Sequence, residues 1–243
     1  MRALSTSRSF TSHPQFPVSS SDQSNEPRGR SEELATRPQL VLDIGGVLAA
    51  NLSPKFWMLV SEAAEVEHST LYKIYKQEIS SKLWRGEIME EQFWGWLQDQ
   101  APKLSPSEAK HMLAGCLSPL PALQRLPEWS RAADLHILSN HLLSWVTPLL
   151  QPVRSYLTHI VISSEQSWKK PQRELFAHAA SLLPSQSNVL FVDDQQGNLD
   201  MAETMGWEVV LADDGGAWIE EADRWIHNKS AMDVPIFESA KPR

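Results

Sequence analysis

Four clusters of polar residues, each just behind a short apolar run, hold the types that could do chemistry. Asp43 is followed by Gly45 and Gly46; Ser139 and Asn140 stand together; Lys169 and Lys170 precede Pro171, with Phe176 beyond; Asp193 and Asp194 have Gly197 and Asn198 behind them. Carboxylates brought together offer hard oxygen ligands to a divalent cation, while a lysine and a hydroxyl offer charge and a donor to an anion. Each cluster alone has an ordinary explanation: turn glycines with positive φ, a Ser-Asn helix cap, a Lys-Pro helix start, an Asp-Asp polar turn. Their recurrence at one run end after another does not, because in open α/β sheets ligands bind outside the carboxyl ends of the strands.

The elements that must position these clusters are legible. The runs at 39–42, 135–138, 159–162, 188–192 and 208–211 are nearly continuous rather than alternating, as strands buried on both faces of a parallel sheet are. Helical stretches around 142–151, 172–183 and 198–205 lie between the last four. Alternation of this kind predicts an α/β fold with a doubly wound, parallel, five-stranded Rossmann-like sheet. About ninety residues separate the first run from the second, where a crossover needs only about a dozen. That insertion reads as helical: Phe56, Val60, Ala63 and Ala64 share one face, Ile88, Phe93, Trp96 and Leu97 another, and Ser105 with Glu108 forms a capping box. The expected organisation is an unstructured tail over 1–37, an α/β core over 38–51 and 119–228, a helical cap over 52–118 and a C-terminal tail over 229–243. Tryptophan, at 10 residues more numerous than Phe or Tyr, reads as core.

Composition narrows the function classes. The chain has 243 residues, 42% apolar and 21% charged, so a sizeable core can form. Its formal charge of −8 makes nucleic acid and membrane surfaces poor partners. The lone Cys116 can form neither an internal disulfide nor a thiolate zinc cage, and the 8 His show no ligand spacing. A reducing, cytoplasmic compartment is the expectation. The first 21 residues, with Arg2, Arg8, seven Ser and no acid, faintly resemble an organellar transit peptide. Oligomeric state is left open.

The four clusters, in this order over 39–212, resemble the motifs of the haloacid dehalogenase (HAD) superfamily. The helical insertion after the first motif is similar to that family's subclass I cap, and Arg85, Gly86, Glu87 and Ile88, with Glu91 and Phe93, to its substrate loop. The sugar 1-phosphate phosphatases are the nearest type, since they too lack a second aspartate in the first motif. The resemblance implies a phosphatase of a small phosphorylated metabolite, with Asp43 as the nucleophile that forms an aspartyl phosphate. Ser139 and Lys170 would hold the phosphoryl oxygens, Gly46 and Asn140 would bind substrate, and Mg2+ would sit on Asp43, Asp193, Asp194 and the backbone carbonyl of Gly45. Gly45 stands where the family has an aspartate that gives and takes the proton, so a catalytically impaired phosphate- or protein-binding module is the alternative. A 2-haloacid dehalogenase, which needs no metal, is a third reading, disfavoured by the paired Asp193 and Asp194. Lys169 is expected to be a solvated neighbour of Lys170, and His141 a solvent-facing residue at a helix start.

Overall fold

Five short strands form one parallel sheet in the computed structural model, which describes residues 37–231. They are β1 (Gln39–Leu42), β2 (Asp134–Ser139), β3 (Leu157–Ile162), β4 (Val189–Asp193) and β5 (Glu208–Leu211), in the order β3-β2-β1-β4-β5. The unbroken apolar runs are explained by a layer on either face. Leu40, Leu42, Leu135, Ile137, Leu190 and Val192 pack with α6 (Leu126–Trp129), α7 (Leu143–Leu150) and α10 (Ala217–Ala231). Val41, Leu138 and Phe191 point the other way, into α8 (Arg173–Ser181) and α9 (Gln196–Thr204). Alternate residues of β1, β2 and β4 thus enter different cores, the two-residue period of an extended chain.

The same register sets the site. Leu42 pairs with Ile137 on one side and Val192 on the other, so the next residue, Asp43, emerges level with the ends of both neighbouring strands. Its N–H continues the ladder onto the Val192 carbonyl at 3.0 Å.

Between β1 and α6 the chain makes α1 (Lys55–Ala64), α2 (His68–Glu78), α3 (Ser80–Trp84), α4 (Glu90–Gln100) and α5 (Pro106–Cys116). Their shared core holds Phe56, Trp57, Phe93, Trp94 and Leu97, with Leu142 and Trp145 reaching in from the α7 segment. Trp57 and Trp94 serve as packing, as their helical spacing predicted, whereas Trp168, in the loop before α8, is exposed. Ala63 is exposed, contrary to the expected face of α1; Trp57 and Ser61 share that face with Phe56, Val60 and Ala64. The capping box on α5 is formed: Glu108 N–H donates to Ser105 Oγ at 3.3 Å and Ser105 N–H to Glu108 Oε2 at 2.9 Å.

Residues 1–36 and 232–243 lie outside the described residues, and with them most of both expected tails. At both ends the structure extends outward past the expected core bounds of 38 and 228. Arg37 is anchored, pairing with Asp134 at 3.1 Å and donating to the Ser130 and Ala133 carbonyls. Residues 229–231 still belong to α10, with Lys229 on Glu208 at 2.8 Å. Among the described residues no helix is long and apolar enough to cross a membrane.

Candidate active site

Asp43, Ser139, Lys170 and Asp193 are buried at the carboxyl ends of β1, β2 and β4, with Ser139 and Asp193 the last residues of their strands. Lys170 bridges two of the carboxylates, 2.9 Å from Asp43 Oδ1 and 2.5 Å from Asp193 Oδ2. Burial alone would push the Lys170 ammonium down; the Asp43 and Asp193 charges outweigh it and hold it above the ordinary lysine value. The lysine stays charged, with its ammonium 5.5 Å from the centre of the Phe191 ring.

Each supporting contact has a local cause. Asp193 Oδ1 accepts from Gln195 N–H at 2.8 Å and Asn198 Nδ2 at 2.9 Å, so the turn into α9 fixes its orientation. The Asn140 side chain clamps the lysine loop: Lys170 N–H donates to its Oδ1 at 2.7 Å, and its Nδ2 donates to the Lys170 carbonyl at 3.0 Å. The amide oxygen and one of the two Nδ2 hydrogens are thus used in placing Lys170, while Asn140 also lines the cavity above. Gly46 likewise gives its N–H to the Ala49 carbonyl at 2.8 Å, which removes that donor from the expected substrate role. Its φ of 71° and a Cβ position only 2.6 Å from Asp194 Oδ2 explain why glycine stands there.

The three acids Asp43, Asp193 and Asp194 each bring an oxygen within 4.8 Å of the others. At that spacing each pair repels by on the order of 3 kcal/mol at an effective dielectric of about 20, and one lysine cannot neutralise three carboxylates. Asp194 Oδ2 accepts from Asn51 Nδ2 at 2.7 Å, while its Oδ1 is buried with no hydrogen-bond partner among the described residues. An orphaned buried carboxylate oxygen beside two further acids fits a hard divalent cation.

A cavity of about 510 Å³ opens above these groups, lined by Asp43, Ser139, Lys170 and Asp194 at its base and by Tyr72, Tyr75 and Trp84 from the inserted helices. Three residues prove to be placed otherwise than expected, or were missed. His141 does not face solvent: it is buried on the cavity wall, edge-on to Trp84, and burial, aided by the Lys170 charge, pushes its imidazole down to about 4. Lys169 is half-buried and lines the cavity rather than standing solvated outside it. Asn51 was missed; a Cβ on Gly45 would lie 2.8 Å from its Oδ1, so it fills the space beside that glycine. Only its position after the glycine turn could have drawn attention to Asn51. His141, two residues behind Ser139, was already at a strand end.

No family model matches the chain, and no curated protein matches it by sequence. Solved structures match it in fold. A HAD family enzyme from Bacteroides thetaiotaomicron superposes with a TM-score of 0.67 at 20% identity, covering 76% of this chain and 98% of that one. A predicted HAD-like family hydrolase from Porphyromonas gingivalis gives 0.64 at 22%, over 79% and 98%. The L-2-haloacid dehalogenase of Xanthobacter autotrophicus gives 0.52 at 18%, over 72% and 77%. The Bacteroides enzyme has also been solved in complex with magnesium and inorganic phosphate. At these identities the likeness is one of fold, and the fold is that of the HAD-family hydrolases.

Proposed function

We propose that the protein is a magnesium-dependent phosphatase acting on a small phosphorylated metabolite, of the capped, sugar-phosphate-hydrolysing type. The observation that carries this reading is the buried Asp43–Lys170–Asp193 chain set beside Asp194, whose Oδ1 is orphaned. The Bacteroides neighbour's complex with magnesium and phosphate supports it. Asp43, Asp194, the Gly45 carbonyl and the charge of Asp193 would hold the cation. When bound, magnesium neutralises the repulsion between a phosphate dianion and an attacking carboxylate.

Asp43 would attack phosphorus, forming an aspartyl phosphate as the P–O ester bond breaks and the leaving alkoxide takes a proton from water; a second water would then attack the phosphoryl group, releasing phosphate and restoring the Asp43 carboxylate. Lys170, held charged and locked by Asp193, faces the transferring oxygens; the Ser139 hydroxyl lines the same cavity as a second donor. The inserted helices roof the cavity as a cap, with Trp84 and Tyr75 limiting access of water.

A second reading, a protein that binds phosphate without turning it over, is favoured by one observation: Gly45 has no side chain and Asn51 occupies the space beside it. Phosphate release from a panel of phosphorylated metabolites separates the two. We expect release in magnesium, none in chelator, and losses of roughly a hundredfold or more in Asp43→Asn and Asp194→Ala. Full turnover in chelator would sink the metal-assisted mechanism. Phosphate bound with no ester hydrolysed would favour the second reading.

A further inference from the structure

The cavity is divided by charge. Its only acidic lining residues are Asp43, which is buried, and Asp194; the more exposed lining includes Lys76 from α2 and the half-buried Lys169 from the loop before α8. Among the described residues, neither Lys76 nor Lys169 forms an ion pair with a carboxylate. Arg85, half-buried at the end of α3 and paired at 2.7 Å with Glu87, adds a third positive charge nearby. Burial lowers the Lys169 ammonium, and the like charges of Lys76 and Arg85 lower it further. Two cations without a carboxylate partner among the described residues, from separate segments, line one space although the chain carries a net −8.

Like charges gathered around a partly desolvated space are unfavourable unless an anion occupies it. The phosphoryl group needs Lys170 at the base, so the outer cations have no partner in a substrate whose far end is uncharged. We propose that the substrate carries a second anionic group, a carboxylate or a second phosphate, at the end remote from the scissile phosphate, and that Lys76 and Lys169 bind it. This rests on the phosphatase reading and narrows its substrate class to doubly anionic metabolites. The outer pair acts on binding; the chemistry stays with Asp43 and Lys170.

The test compares kcat/KM in magnesium for matched esters: phosphoglycerate, with a far carboxylate; a bisphosphate of the same length; and glycerol phosphate, with an uncharged far end. One or both doubly charged esters should be preferred over glycerol phosphate by about tenfold or more, and the better of them identifies the second group. Lys76→Met and Lys169→Met should each cut that preference severalfold, through KM rather than kcat. Lys103→Met, which removes a cation of the inserted helices that pairs with Glu65 away from the cavity, should leave the preference intact. Turnover indifferent to the far end, or a preference surviving both cavity substitutions, would overturn this inference while the phosphatase reading stood. Hydrolysis of none of the three esters or of any other phosphate monoester would overturn that reading and this inference with it.

Discussion

Gly45, standing where the family resemblance implies a proton-transferring aspartate, lacks a side chain, and among the described residues the group beside it is the non-titrating amide of Asn51. His141 is too low in pKa, at about 4, to be an imidazolium at neutral pH. Hydrolysis should therefore depend steeply on leaving-group acidity, with anomeric, acyl and aryl phosphates ahead of primary alkyl phosphates. The positive φ expected at the glycine turn belongs to Gly46 and not to Gly45, so Gly45→Asp meets no backbone strain; its one tight contact is the flexible end of Asn51. Gly45→Asp should speed alkyl phosphates by roughly tenfold to a hundredfold and flatten the slope. Rates across an ester series check this, and an unchanged slope would mean that another group moves the proton. The four clusters were legible because residue type and place after a strand reveal them. Asn51 and the burial of His141 were not, because each is set by side chains from other elements, Asp194 in one case and Trp84 in the other.

Strands buried on both faces announce themselves by unbroken apolar runs, which is why all five were readable to within a residue or two at each end. The seating of the helical insertion on the sheet was less legible, because its contacts are long-range and partly backbone. Gly86, at φ 68°, brings the loop after α3 against the segment after β3: a Cβ there would lie 1.9 Å from the Ser164 carbonyl oxygen. No side-chain pattern predicts such an approach. Gly86→Ala must move backbone and strain φ together, and should cost roughly 2 kcal/mol or more of stability. Denaturant unfolding measures it. An unchanged midpoint would show that the loop relaxes freely, and the insertion would then be less firmly seated than the contact implies.

At the scale of the whole molecule, one sheet edge gathers the acids and Lys170, the inserted helices bring Lys76 and aromatic rings to the cavity, and the loop before α8 adds Lys169. A net charge of −8 gives no hint of that separation, since composition does not record where charges converge. The fold likeness extends to a phosphate-bound enzyme and to a dehalogenase, so fold leaves the reaction to the site. The central claim is that Asp43 becomes phosphorylated. Without an aspartate at position 45 to activate water, the second step should be the slower one and the adduct should accumulate. The deciding measurement is mass analysis of acid-quenched protein after mixing with magnesium and a reactive phosphate ester. The account predicts one phosphoryl group on the peptide containing Asp43, absent in chelator and in Asp43→Asn; phosphate release without that adduct, or an adduct on another residue, would contradict it.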